Sequence, residues 1–219
     1  FQAEDGIRDF CLSRGLGDVY KRQALTEEIE LETEIEFTSG DFLEMSIRRE
    51  RELFDKDFEI FDDIIISEGD YDYWRANAQL GTAQSRGVYG SIGSDLGLTD
   101  YLDGKRYGAN GKIGWHPSSS LSMELGGNFR WYELKDGEFE TIIVDGSIRF
   151  TPTKKIALTT RVQFDTVSNE LGVNSRLRWM MNPASDIYLV FNQGFRRFDD
   201  RFDRTLTEGV VKAGWTFRF

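Results

Sequence analysis

The chain has 219 residues, with 27 Lys+Arg against 38 Asp+Glu, a formal charge of −11, 39% hydrophobic and 14% aromatic residues. The acidity argues against a nucleic-acid partner, because neutralising phosphates takes a basic surface or stripe. One Cys excludes an internal disulfide, one His excludes a multi-His metal cluster, and no apolar run reaches the ~18 residues of a transmembrane helix.

Phe1 to Gln23 carries no strand alternation, no helical stripe and no apolar core of a signal peptide. Its end, Asp18-Val19-Tyr20-Lys21-Arg22-Gln23, resembles the translation of a transposase adapter used in library sequencing, and the longer stretch resembles leaders found on metagenomic genes. Residues 1–23 are therefore expected to be an adapter-derived artefact, disordered and outside the fold. Cys11 falls in it. Its acids (Glu4, Asp5, Asp9, Asp18) balance its bases (Arg8, Arg14, Lys21, Arg22), so the net charge belongs to the rest. Residues 24–219 are then one domain, expected to be truncated at its N-terminus, with any signal peptide lying upstream.

From Ala24 onward apolar and polar residues alternate with period two, the mark of strands with two different faces. Ile29, Leu31, Ile35 and Phe37 alternate with Glu28, Glu30, Glu32, Glu34 and Glu36; that acidic row predicts a wet face more readily than a Ca²⁺ site. Leu43, Met45 and Ile47 follow, then Trp74 to Leu80, Val88 to Leu96, Tyr107 to Trp115 and Leu121 to Trp131. Ile142 to Phe150, Ile156 to Phe164, Leu171 to Trp179, Ile187 to Phe195 and Val211 to Phe219 complete the series. The pattern predicts an all-β, antiparallel up-and-down meander of about eleven long strands. Strands of roughly 9–13 residues exceed the ~5–6 of soluble sheets and match membrane-spanning strands. The expectation is a transmembrane β-barrel or a C-terminal fragment of one. Bacterial single-chain barrels usually have an even number of strands, so an odd count predicts a missing N-terminal strand or an irregular pairing of Ala24–Phe37.

The other face carries Lys112, Glu124, Arg130, Arg149, Arg161, Asn174, Arg176, Arg178 and Arg218, which are expected to face a hydrated lumen. Neighbouring Arg and Glu there would form ladders that stiffen the wall or select anions. Alternation by itself is equally satisfied by a soluble sandwich. Trp115, Trp131, Trp179 and Trp215, near strand ends in the apolar register, suit interfacial girdles.

The three prolines, Pro117, Pro152 and Pro183, fall after strands and predict short turns at one end of the sheet. Longer charged connections are expected at the other end: Leu53–Asp70, Asp100–Lys105, Glu133–Glu140 and Arg196–Thr207. Such asymmetry is that of outer-membrane barrels.

The chain ends Lys212-Ala213-Gly214-Trp215-Thr216-Phe217-Arg218-Phe219. Lys212, Gly214, Trp215, Phe217 and Phe219 together resemble the C-terminal assembly signal by which insertion machinery recognises bacterial outer-membrane barrels.

Leu171 to Phe195 carries Asn174, Arg176, Leu177, Arg178, Trp179, Pro183, Ser185, Asp186, Ile187, Tyr188, Val190, Phe191 and Asn192 in a spacing that resembles bacterial domain-of-unknown-function family 5916. Glu68-Gly69-Asp70-Tyr71, Tyr101-Leu102-Asp103-Gly104, Phe150-Thr151-Pro152 and Val162-Gln163-Phe164 also fit; Ala184 departs, standing where the family often has Gly. The resemblance implies an outer-membrane barrel that follows a family-9-like carbohydrate-binding module in complete members, and a Gram-negative source.

No nucleophile elbow, phosphate loop, Ser/His/Asp set or metal-ligand spacing is present. His116 precedes Pro117 and reads as a solvated turn residue. The expected function is thus a non-enzymatic outer-membrane barrel associated with carbohydrate binding or uptake. It would have no cofactor; its expected partners are membrane lipid, the insertion machinery and a poly- or oligosaccharide. The alternatives are a membrane-anchored glycan-processing enzyme, with its active residues outside this chain or in the long loops, and a soluble β-sandwich binding module.

Overall fold

The computed structural model describes residues 6–8, 17–18, 23–24, 26–199 and 201–215. Eleven long strands follow one another in chain order: β1 (Thr26–Glu36), β2 (Phe42–Phe54), β3 (Gly69–Gly81), β4 (Val88–Gly97), β5 (Lys105–Ser118), β6 (Leu121–Leu134), β7 (Gly137–Thr153), β8 (Ile156–Asp165), β9 (Glu170–Asn182), β10 (Ser185–Phe198) and β11 (Arg201–Trp215). Sheet neighbours are sequence neighbours, which is the expected meander, and a three-residue strand, Gly6–Arg8, pairs with Glu34–Glu36 of β1. Phe217, Arg218, Phe219 and most of residues 1–23 lie outside the described residues. The chain divides into two units. The first runs to Ala83 and takes in Ser91–Gly111 and Phe129–Glu140; the second comprises Gln84–Gly90, Lys112–Asn128 and Thr141–Phe219.

In the first unit β1, β2 and β3 pair without a register shift: Leu31 lies opposite Ile47, and Ile47 opposite Ala76. Because the pleat alternates, this puts Leu43, Met45, Ile47, Trp74 and Leu80 on one face and Arg48, Glu50, Tyr73 and Arg75 on the other. The apolar face is the exposed one: Leu80 is 57% and Ile92 61% accessible, whereas Glu50 and Arg75 are buried. Beyond Ile47 that face turns charged, with Arg49 bonded to Asp72 and Arg51 to Asp70. The apolar stretch therefore stops near Trp74. On β5 and β6, Tyr107 stacks on Trp131 at 5.7 Å between centroids.

The expected charged loop between Leu53 and Asp70 is in fact a second hairpin, Phe58–Phe61 paired with Ile64–Ile66. Its acids mark the turn, where Asp63 has φ 62°. Its apolar residues drive its docking. Ile64 and Ile66 join Tyr73, Leu102 and Leu134 in a buried cluster ringed by Phe54, Phe58, Phe61, Tyr132 and Phe139. Phe139 stacks on both Phe61 and Tyr132 at 4.6 Å. Leu102 and Asp103 both have positive φ, 48° and 61°, and Tyr101 and Gly104 exchange backbone hydrogen bonds around them. Two left-handed central residues are what a type I′ turn requires. A side chain at Gly104 would collide with the carbonyl of Glu133, so glycine is needed there.

The second unit holds β8 to β11, each strand paired with the next. Phe150, Leu158, Leu177, Leu189 and Val211 lie abreast across five strands on the apolar face. Leu189 is 44% and Val211 72% exposed. On the opposite face Ser147, Arg161, Asn174, Asn192 and Glu208 lie abreast. Among the described residues β11 has a strand neighbour on one side only.

Two turn expectations need correction. Pro117 and Pro152 are the penultimate residues of β5 and β7, not turn residues; only Pro183 sits in a turn, with Ala184. Proline lacks the ladder donor and is accommodated at irregularities; Pro152 falls where the pairing of β7 with β8 shifts register, between Phe150 and Thr153. Glu133–Glu140 and Arg196–Thr207 are also not loops. The strands run through them and leave a turn at 135–136 and, among the described residues, a turn residue at Asp199. Charge does not stop a strand when its backbone groups find partners: Arg196 lies opposite Asp203, and Arg197 opposite Phe202.

Candidate functional site

The polar face of each unit is the candidate site. In the first unit it is an ion ladder of alternating sign across five strands. Arg48 of β2 reaches Glu30 at 2.8 Å and Glu28 at 3.3 Å on β1, and Glu50 at 3.6 Å on its own strand. Arg75 of β3 lies directly opposite Arg48, and Glu50 accepts from Arg75, bridging two cations that would otherwise repel. Arg75 is also 3.7 Å from Asp95 of β4, to which Arg106 of β5 donates at 2.8 Å. Arg106 sits over the rings of Tyr101 and Tyr132, at 5.4 and 5.8 Å, and so joins the ladder to the aromatic cluster. Nε of Arg75 and of Arg106 and one oxygen of Asp95 are buried without a hydrogen-bond partner, while Nε of Arg48 has its ion-pair contact with Glu28. Below the ladder Asn77 donates to Ser46 at 3.2 Å and Asn110 to Gln79 at 3.3 Å. Tyr101, in the β4–β5 connection, has its phenol pushed up to about 12, mainly by burial and further by Tyr132 and Glu52, against the opposing pull of Arg106.

Of the sequence-derived set, Arg130 belongs to this first unit. It shares the ladder face with Asp95, since the position above Gly108 is flanked by both side chains. The ladder residues Arg48, Glu50, Arg75 and Asp95 were not among the expected site residues. A usable signal exists: opposite charges two residues apart, as in Arg48 and Glu50, share a face and propagate into the next strand.

The second unit gathers the other expected residues that are described, Lys112, Glu124, Arg149, Arg161, Asn174, Arg176 and Arg178, on one face. Arg149 lies opposite Thr159, and Thr159 opposite Arg176; Arg161 lies opposite Asn174. Glu124 accepts from Tyr89 and, at 3.4 Å, from Ser147, with Lys112 and Arg149 in electrostatic reach. Arg176 lies 4.5 Å from the centre of the Tyr188 ring, and Arg178 bonds Asp186 at 3.1 Å. Asn174 donates to Asn192, which donates to Glu208 at 2.8 Å. Only Arg178 of the expected arginines is ion-paired among the described residues, so the expected Arg–Glu ladder lies in the first unit, on other residues. His116 stacks on Tyr89 at 5.1 Å with its ring nitrogen 3.3 Å from the Gln84 carbonyl oxygen, so it is held in place by packing.

Of the terminal residues, Lys212 lies opposite Tyr188, Gly214 opposite Asp186 and Trp215 opposite Ser185, with Trp215 mostly exposed. Phe217, Phe219 and Arg218 fall outside the described residues.

No family model matches the chain, and no curated protein does. Among solved structures the chain is similar to a KdgM porin (13% identity, 87% of this chain and 92% of that one, TM-score 0.36). It is similar to a KdgM porin in complex with disordered oligogalacturonate (12% identity, 88% and 97% covered, TM-score 0.36). It is also similar to a NanC porin (12% identity, 88% and 94% covered, TM-score 0.36).

Proposed function

We propose that the chain is a non-enzymatic β-barrel protein of the bacterial outer membrane, which holds a wet polar face inside and serves carbohydrate uptake. One observation carries this reading: rows of Leu, Ile, Val, Phe and Trp on 10- to 17-residue strands are exposed, while the ladder face of the first unit pairs its charges and buries Glu50, Arg75 and Arg106. In a soluble protein the burial would run the other way, since exposed apolar surface costs about 25 cal/mol per Å². In a bilayer such a face meets hydrocarbon, and the strand length suits a membrane core about 30 Å thick. The carbohydrate link draws on the resemblance of Leu171–Phe195 to family 5916, and the assembly-signal resemblance of Lys212, Gly214 and Trp215 supports contact with insertion machinery. Expression into outer membranes, followed by electrophoresis of unheated and boiled samples, tests the reading. The folded barrel is expected to migrate faster than the boiled chain. A folded monomer in detergent-free buffer would overturn it, in favour of a soluble binding module.

A further inference from the structure

The second unit holds a trough of about 660 Å³ on the polar face of β8 to β11. Its floor is a pair of glycines lying opposite each other, Gly172 of β9 and Gly194 of β10, with Gln163 opposite Gly172 on β8. A Cβ at Gly172 would meet nothing within 4 Å, whereas one at Gly194 would meet Thr205 Oγ1 at 3.0 Å and Leu206 Cβ at 3.3 Å, so the opening lies over Gly172. One wall is the ion pair of Glu170 and Arg196, with Asp165 opposite Glu170. The other is the row Arg161, Asn174 and Asn192, and Asn192 is held from beyond the trough by its hydrogen bond to Glu208.

We propose that this trough binds a neutral oligosaccharide. The proposal rests on the outer-membrane reading, in which this face is the wet one. The volume lies within the ~300–1,000 Å³ of small-ligand sites. The walls suit hydroxyl groups, which donate and accept at once. Amides of Gln163, Asn174 and Asn192 offer both functions, Arg161 offers donors and the carboxylates offer acceptors. Arg161 makes no ion pair among the described residues, so its guanidinium is available to vicinal hydroxyls. Charge gives an acidic sugar no net attraction. Among the lining residues Arg161 is offset by Asp165, and Glu170 is engaged by Arg196.

The test is calorimetric titration of the full chain, folded in detergent, with maltotriose, cellotriose and trigalacturonate. At least one neutral trisaccharide is expected to bind, and more tightly than trigalacturonate. Gly172→Leu, which fills the trough, is expected to weaken binding at least tenfold, and Asn192→Ala several-fold. Gly209→Leu, on the apolar face where a Cβ also meets nothing, is expected to leave binding unchanged. Binding of neither neutral sugar, tighter binding of trigalacturonate, or wild-type affinity in both trough variants overturns the proposal. If the electrophoretic shift is present while titration fails, the trough assignment falls and the membrane reading stands. If the shift is absent as well, the membrane reading falls first.

Discussion

Arg75 donates to Glu50 across two neighbouring strands, and each of the two residues is only 8% exposed. A buried pair is costly to break from one side, because the surviving charge has lost its partner but not its desolvation; the expected loss is about 3–5 kcal/mol. Glu50→Ala should lie at the upper end, since Glu50 also separates Arg75 from Arg48. Arg75→Met should lie lower, because Glu50 keeps Arg48. Urea unfolding of the detergent-folded protein checks both, and the double variant should cost less than the sum of the single ones.

Leu189 stands in the row Phe150, Leu158, Leu177, Leu189, Val211 on the apolar face. An arginine on a lipid-facing strand position costs about 2–4 kcal/mol at mid-membrane. Leu189→Arg is therefore expected to weaken folding into lipid vesicles by that amount. At a water-exposed position the change would fall within about 0.5 kcal/mol. Vesicle folding followed by tryptophan fluorescence separates the two.

Ile64 anchors the Phe58–Ile66 hairpin among Ile66, Tyr73, Leu102 and Leu134. Ile64→Ala should cost about 2–5 kcal/mol, as for other buried truncations. The loss is expected to be local. Hydrogen exchange should speed up in residues 58–66 and around Leu102, and stay unchanged in β8 to β10.

Tyr101 supplies an alkaline limit. Its phenol is raised from 10.0 to about 12, mainly by burial. The folded state thus holds this proton more tightly than the unfolded chain. The stabilisation is complete below pH 10, and it is lost as pH rises through about 12. Wild-type stability is expected to fall between those values, and Tyr101→Phe to flatten that fall. Denaturant midpoints at pH 9, 10 and 11 read the difference.

Much of the fold was legible because a pleated strand writes its two faces directly into the order of residues. The alternation from Ile29 to Val211 foretold the meander and its strand number, and it separated Arg161, Asn174, Arg176 and Arg178 from Leu158, Leu177 and Leu189. These are local consequences of backbone geometry and need no partner strand. Which charges meet was not legible. Glu50, Arg75, Asp95 and Arg106 converge through the registers of β2 to β5 and through long side chains that reach diagonally. Register is a property of paired strands, and no single stretch of sequence holds it. The hairpin at Phe58–Ile66 was hidden for a related reason: its acids announced a loop, while its isoleucines acquire a role only against Tyr73 on the following strand and against Leu102 and Leu134 from two distant segments. Burial is a collective outcome of those segments meeting, so composition at residues 53–70 pointed to solvent where packing placed a core.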